Sequence, residues 1–346
     1  MKSILCVFLV LPVIAMAQDL SWPDPVANHV VPRQSTAVTH GPVLGDVTMD
    51  SVRIWLRAES EIEFEVLVRP NRPPFENAEV HHGRTLPAED FTGFVEVSDL
   101  LPNTEYAYAV RVGGEIIDLR AEFKDPWPTF RTLPGKDSYA HEFNPQGKFN
   151  FSFSIGACQR QRSPGKTYGI YPNPPAFNTI WEKHRDRVSF HIVNGDYSYE
   201  ETLDGTAAGI ENNYKLYLER GRSLNRLLRY VPMLTMYNDH EVTDNIDGSG
   251  EVGLGDGNYL VRDPAIRVWQ YYADWANGDH QQRMPVRFGT GNFEKKSNVL
   301  HDSQADFTKL DLSQVSTLHI GPYLKGAAKP PVGIRGGKNS GVYRVK

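Results

Sequence analysis

The sequence predicts a β-sandwich followed by an α/β domain built on a parallel or mixed sheet. Three observations predict it. Residues 36–134 hold short runs of alternating apolar and polar residues with turn residues between them. From residue 149 onward the order becomes strand, helix, strand. Between the two lies a polar stretch, 135–148, opening Gly135-Lys136-Asp137-Ser138. The 346 residues fit about two domains. Apolar residues at 40% and charged residues at 23% exclude a disordered or collagen-like chain. With 16 Tyr, 16 Phe, 24 Pro and 29 Gly, the composition is too turn-rich for a helical bundle. The formal net charge of -5 provides no basic field, which argues against a stable nucleic-acid partner.

The first element is not part of the fold. Lys2 precedes an apolar run, Ile4 to Ala17, that contains Pro12 and ends Ala15-Met16-Ala17. A positive start, a short apolar core and an A-x-A ending describe a signal peptide over 1–17. Its 14 apolar-run residues fall short of the ~20 that span a membrane, and no other segment is long enough. Cleavage is expected near Ala17/Gln18, with export to the periplasm or the medium. Cys6 leaves with this segment, so Cys158 is a lone thiol with no internal partner. A lone exported thiol is reactive, intermolecular or metal-bound, or else a small buried hydrophobe.

A Pro-rich lead, Trp22-Pro23-Asp24-Pro25, precedes the sandwich. Its strands include Ser51–Leu56, Phe64–Val68 and Ala107–Val112, the last ending at the turn Gly113-Gly114. Leu101-Pro102-Asn103-Thr104-Glu105-Tyr106-Ala107-Tyr108 resembles the tyrosine-bearing turn of fibronectin type III domains, which implies an Ig/fibronectin III-like sandwich. The second domain, 149–346, starts with the strand Phe149–Ile155. Phe177, Ile180, Trp181 and His184 have helical spacing, and Val188–Val193 is the next strand. A helix is expected over Asn213–Tyr230, a third strand over Val231–Met236, and another helix from about Pro264 to Ala276.

Each of these three strands ends in a polar cluster: Gly156-Ala157-Cys158-Gln159, then Asn194-Gly195-Asp196-Tyr197-Ser198-Tyr199-Glu200, then Tyr237-Asn238-Asp239-His240-Glu241. Open α/β sheets place their sites at these ends. Singly, an Asp there is a turn cap and a His a satisfied polar group. Together they read as a dinuclear metal site. Thiolate, phenolate and carboxylate suit a strongly Lewis-acidic ion. Asp196 has two oxygens with which to bridge two metals, Tyr199 lies three residues on, and the Asn238 carbonyl suits a harder divalent ion. Such a pair clamps the attacking and leaving oxygens of a phosphate ester. His240, with Asp239 beside it, would serve catalysis by protonating the leaving oxygen.

Gly195-Asp196-x-x-Tyr199 followed by Asn238-Asp239-His240-Glu241 resembles the motifs of calcineurin-like metallophosphoesterases. Purple acid phosphatases share the Gly-Asp-x-x-Tyr motif and a fibronectin-like domain, but their first strand ends in an Asp-containing motif. Here that strand ends at Cys158, which resembles the PhoD-like alkaline phosphatase/phosphodiesterase family. Gly41–Leu56 is also similar to that family's N-terminal domain, and the resemblance covers about residues 40–277. It implies Fe³⁺ on Cys158, Asp196 and Tyr199, with Asp196 bridging to a Ca²⁺ that also takes the Asn238-Asp239 pair, through either Asn238 or Asp239, with Asn238 preferred. It implies hydrolysis of phosphomonoesters or phosphodiesters outside the cytoplasm. Arg160 and Arg162 follow the cysteine and are either phosphate-binding groups or ordinary solvated surface.

The family's late Gly-Asp-x-His strand end is missing. Gly278-Asp279-His280 has the wrong spacing, His301-Asp302 lies in a polar stretch, and His319 is left as the late ligand to consider. Gly341–Lys346 starts a strand-like alternation and stops, so the domain is expected to be incomplete at its C-terminus. The alternatives are a purple-acid-type phosphatase and a non-catalytic exported binding module with a degenerate half site. The natural substrate and the oligomeric state are not readable from these residues.

Overall fold

The computed structural model describes residues 37–70, 73–118, 125–159, 175–199, 206–218, 223–242, 259–278, 291–303, 305–309, 317–320 and 341–344. The signal-peptide region, Arg160, Arg162, Asp279 and His280 lie outside the described residues.

The N-terminal region forms two facing antiparallel arrangements. Strands β1 (Val38–Gly45), β2 (Val52–Ala58) and β5 (Thr92–Val97) pair in the order β5-β2-β1. Facing them, β3 (Glu63–Pro70), β4 (Glu79–Arg84), β6 (Glu105–Val112) and β7 (Glu115–Ile116) pair as β4-β3-β6-β7, with β8 (Thr129–Arg131) on β6. Leu44, Ile54 and Leu56 from one side meet Phe64, Val66, Tyr108 and Val110 from the other in a common core. This is the inward face that strand alternation predicts. At the turn into β6, the Leu101 N–H donates to the Tyr106 hydroxyl at 2.9 Å.

The second region adds β9 (Ser152–Gly156), β10 (Val188–Asn194) and β11 (Met233–Met236), all parallel. They do not form a separate sheet. β11 pairs in parallel with β1 at Gly45↔Met233, giving one six-stranded mixed sheet in the order β5-β2-β1-β11-β10-β9. Gly45 makes the junction possible, because a Cβ there would lie 2.7 Å from both the Ala276 Cβ and a Trp275 ring carbon. The polar stretch 135–148 lies between β8 and β9, and strands from either side of it share this one sheet.

Helices α1 (Pro175–Lys183), α2 (Ala207–Tyr217), α3 (Ser223–Leu228) and α4 (Tyr259–Tyr272) bury one face. Phe177, Trp181, Tyr214, Leu224, Leu227, Val268 and Tyr272 join Val193 and Met233 of the sheet, and Val43 and Trp55 of the N-terminal strands, in a single core. The one helix expected over Asn213–Tyr230 is two, and α4 starts ahead of Pro264, which it carries inside. Thr206 caps α2 by accepting from the Gly209 N–H at 3.2 Å. Polar ties cross between the regions. The Trp55 indole donates to the Tyr271 carbonyl, the Tyr108 hydroxyl to the Arg229 carbonyl, and Arg53 to the carbonyls of Trp275 and Asn277.

Beyond the site, β12 (Asn292–Phe293) pairs with β13 (Leu300–His301), and β14 (Thr317–Ile320) with β15 (Gly341–Arg344), each antiparallel. His319 sits on β14, outside the six-stranded sheet. No helix among the described residues is long and apolar enough to cross a membrane.

Candidate metal centre

The three parallel strands end side by side, and each delivers its polar cluster to the same edge. Cys158 lies two residues past β9, Asp196 two past β10, and Asn238 two past β11. Cys158 and Asp196 both have φ of 55°, the left-handed region that non-glycine residues avoid. Such conformations cost about 1–3 kcal/mol each and persist where the surroundings over-determine them. Gly195, at φ 79°, explains the glycine of the Gly-Asp pair: a Cβ there would lie 2.6 Å from the Asn238 Cβ.

Asp196, Asp239 and His240 each bring a ligand-capable atom within 4.8 Å of the others. The Tyr199 hydroxyl donates to Asp196 Oδ2 at 3.0 Å, and its ring lies 4.1 Å from the His240 ring, centroid to centroid. Asp196 is 4% exposed, and its Oδ1 is buried with no hydrogen-bond partner. A buried carboxylate oxygen in that state is costly unless something positive meets it. A hydrogen bond to the Asp196 carboxylate, then burial, raises the Cys158 thiol pKa above its ordinary value. Burial, then the hydrogen bond to Asp196, raises the Tyr199 phenol far above its ordinary range. The Asp196 carboxylate thus holds the protons on the thiol and the phenol that crowd against it. A cation would reverse each shift, so the donor set fits a metal.

The structure brings Cys158, Asp196, Tyr199, Asp239 and His240 together. Asn238 adjoins them, with its Cβ against Gly195 and its N–H donating to Glu241 Oε2 at 2.7 Å. Glu241 is the residue that sequence reasoning passed over. It is 2% exposed, and its other oxygen accepts from the Tyr197 N–H. Burial raises its pKa, while the N–H groups of Asn238 and Tyr197 oppose the shift. Its signal was present: an Asn with a Glu three residues on is the reach-back spacing of a capping box. Gln159 makes a further stitch, donating from Nε2 to the Tyr197 carbonyl at 3.2 Å. All three strand-end loops are therefore tied through Tyr197. Below them, His191 on β10 shares a 2.9 Å bond between its Nδ1 and the Ser154 hydroxyl, and burial lowers its pKa to about 4. It is a neutral core histidine.

Residues 35–130 match a family described as a domain of unknown function (DUF7800). No curated protein matches the chain. Among solved structures, that of PhoD is similar at a TM-score of 0.54 and 18% identity, over 75% of this chain and 51% of PhoD. A purple acid phosphatase from yellow lupin (Lupinus luteus) seeds is similar at a TM-score of 0.44 and 15% identity, over 72% of this chain and 42% of its own. The chain therefore spans about half the length of the PhoD structure it resembles. At this identity the likeness to PhoD is one of fold.

Proposed function

We propose that the chain is an exported, metal-dependent phosphoesterase of PhoD-like type that hydrolyses phosphomonoesters or phosphodiesters. One observation carries the reading. Asp196 Oδ1 is buried and unpaired in a cluster of anionic donors at the ends of parallel strands. Cys158, Asp196 and Tyr199 would hold Fe³⁺, and Asp196 with Asn238 would hold Ca²⁺. Two such cations supply Lewis acidity toward phosphoryl oxygens and hydroxide near neutral pH. Tyr199 orients Asp196 through its hydroxyl and flanks the His240 ring. His240 gives a proton to the leaving oxygen, and Asp239 sits beside it in the same cluster. Arg160 and Arg162 would bind the substrate phosphate. Residues 36–134 are read as the Ig/fibronectin III-like unit, supported by the Leu101–Tyr106 bond. Cys158 at the first strand end disfavours the purple-acid-type alternative.

A second reading is a non-catalytic exported binding module that keeps half a metal site. It is favoured by the cluster's composition: among the described residues, Asp196, Asp239 and His240 are the group of three or more His, Cys, Asp or Glu able to hold an ion. Hydrolysis of p-nitrophenyl phosphate and its bis-ester by the chain loaded with Fe³⁺ and Ca²⁺ separates the two. Turnover that Asp196→Asn abolishes supports the first reading. Metal binding without turnover supports the second.

A further inference from the structure

We propose that Glu241 is a positioning residue that fixes the distance between the two loops carrying Asp196 and the Asn238–His240 run; this rests on the metal-site reading above. Its carboxylate is buried and spends one oxygen on each loop. One oxygen accepts from the Tyr197 N–H, next to Asp196, and the other from the Asn238 N–H at 2.7 Å. The loops it joins are already in contact, Gly195 against Asn238, so their separation has little slack. The Asp196 backbone is held at φ 55°, which a single loose peptide would not maintain. A carboxylate suits this place because both its oxygens only accept. In Glu241→Gln the amide NH₂ must face a backbone N–H, donor to donor. In Glu241→Asp the shorter side chain reaches only one loop. Groups that orient metal ligands in this way typically change metal affinity by about 10–100-fold when replaced.

The test is Mn²⁺ binding by titration calorimetry, with melting temperature measured alongside. Tyr108→Phe serves as a control, since it removes a buried bond to the Arg229 carbonyl away from the cluster. Glu241→Gln and Glu241→Asp are expected to bind Mn²⁺ about tenfold or more weakly. Tyr108→Phe is expected to lose stability and keep its affinity. A folded Glu241→Gln chain with native Mn²⁺ affinity overturns this proposal alone. No Mn²⁺ binding by the wild-type chain overturns the metal reading and this proposal with it. If neither Glu241 variant folds, hydrogen exchange on the wild-type chain decides. Slow exchange of the Tyr197 and Asn238 amides supports the clamp, and exchange at the free-peptide rate overturns it.

Discussion

Gly195 and Asn238 are packed so closely that one methyl group does not fit between them: a Cβ on the glycine would stand 2.6 Å from the asparagine Cβ. Gly195 also carries φ 79°. Gly195→Ala therefore meets both a left-handed backbone penalty and an overpacked contact, together about 2–5 kcal/mol. Urea unfolding should show a midpoint lowered accordingly, with metal affinity lost in the same variant. An unchanged midpoint would mean that the two loops can separate freely.

Asp196→Asn is expected to damage turnover more than any single change in the first 135 residues. The carboxylate is the group that Tyr199 and the Cys158 thiol both address, and its Oδ1 has no protein partner. Removing its charge should release at least one ion, read by metal analysis in parallel with kinetics. The Fe³⁺-loaded chain is expected to show a visible charge-transfer band from Tyr199, and Cys158→Ser should weaken it. Near-native turnover with both metals retained in Asp196→Asn would exclude the bridging role.

The strand-end clusters were legible because each follows an apolar run and breaks it abruptly: Ile155 before Gly156, Val193 before Asn194, Met236 before Tyr237. The paired strands of the N-terminal region were legible for the same reason, in their period of two. The junction of β1 with β11 was not. It rests on one residue pair, Gly45 with Met233, and on the fit of Gly45 against Ala276, contacts between residues far apart in sequence that leave no local pattern. The helix read through Asn213–Tyr230 also misled, because its apolar positions continue across the point where α2 ends and Leu218 N–H closes onto the Tyr214 carbonyl. Glu241 was visible as a spacing but not as a clamp, since its second partner, Tyr197, lies 44 residues away.

Asp90 gives the fold an acid limit. Arg57 Nη2 lies 3.0 Å from one of its oxygens and Lys215 Nζ 2.7 Å from the other, while the Tyr272 hydroxyl donates to it at 2.6 Å. Burial alone would raise its pKa, but the bonds and charges of Arg57 and Lys215 outweigh it and hold the carboxyl below its ordinary value. A depressed folded pKa contributes stability that is complete above the unfolded value of about 3.9 and is lost as pH falls through the folded one. Thermal melts across the acid range should show that loss below about pH 4. In Asp90→Asn the melting temperature at pH 7 should drop and its acid dependence flatten. An acid limb of equal slope in the variant would assign the loss to other carboxylates.

Arg53 joins the two regions at the sheet junction. It pairs with Asp46 at 3.2 Å and Glu96 at 3.0 Å, and donates to the carbonyls of Trp275 and Asn277. Arg53→Met leaves two carbonyls and the Asp46 carboxylate without this donor, and breaking a buried pair of this kind costs about 3–5 kcal/mol. The loss should fall on cooperativity as well as stability. Wild-type unfolding should be a single transition by tyrosine and by tryptophan fluorescence, and in Arg53→Met the two probes should diverge. Coincident transitions in the variant would show that the shared sheet and the core around Trp55 suffice without the arginine.

The face of β9 turned away from the helices makes the last prediction. Phe151, Phe153 and Ile155 are 56%, 47% and 59% exposed, and Met236 on β11 is 51% exposed. Phe153 stacks on Phe190 of β10 at 5.6 Å, and Phe151 lies 6.1 Å from the same ring. The result is an aromatic surface on a strand whose outer side, among the described residues, pairs with no other strand. Large apolar patches of this kind associate in water, and an unprotected edge adds a template for strand pairing. The chain of 346 residues, freed of its first 17, should therefore show concentration-dependent association by light scattering. Phe151→Ser with Phe153→Lys should reduce it, the serine by removing apolar area and the lysine by placing a charge on the edge. Neither side chain belongs to the Asp196–Asp239–His240 cluster, so Mn²⁺ affinity should be the same in the double variant. Association that persists unchanged would locate the sticky surface elsewhere. Association that falls together with Mn²⁺ affinity would show that the aromatic face supports the site as well as exposing the sheet.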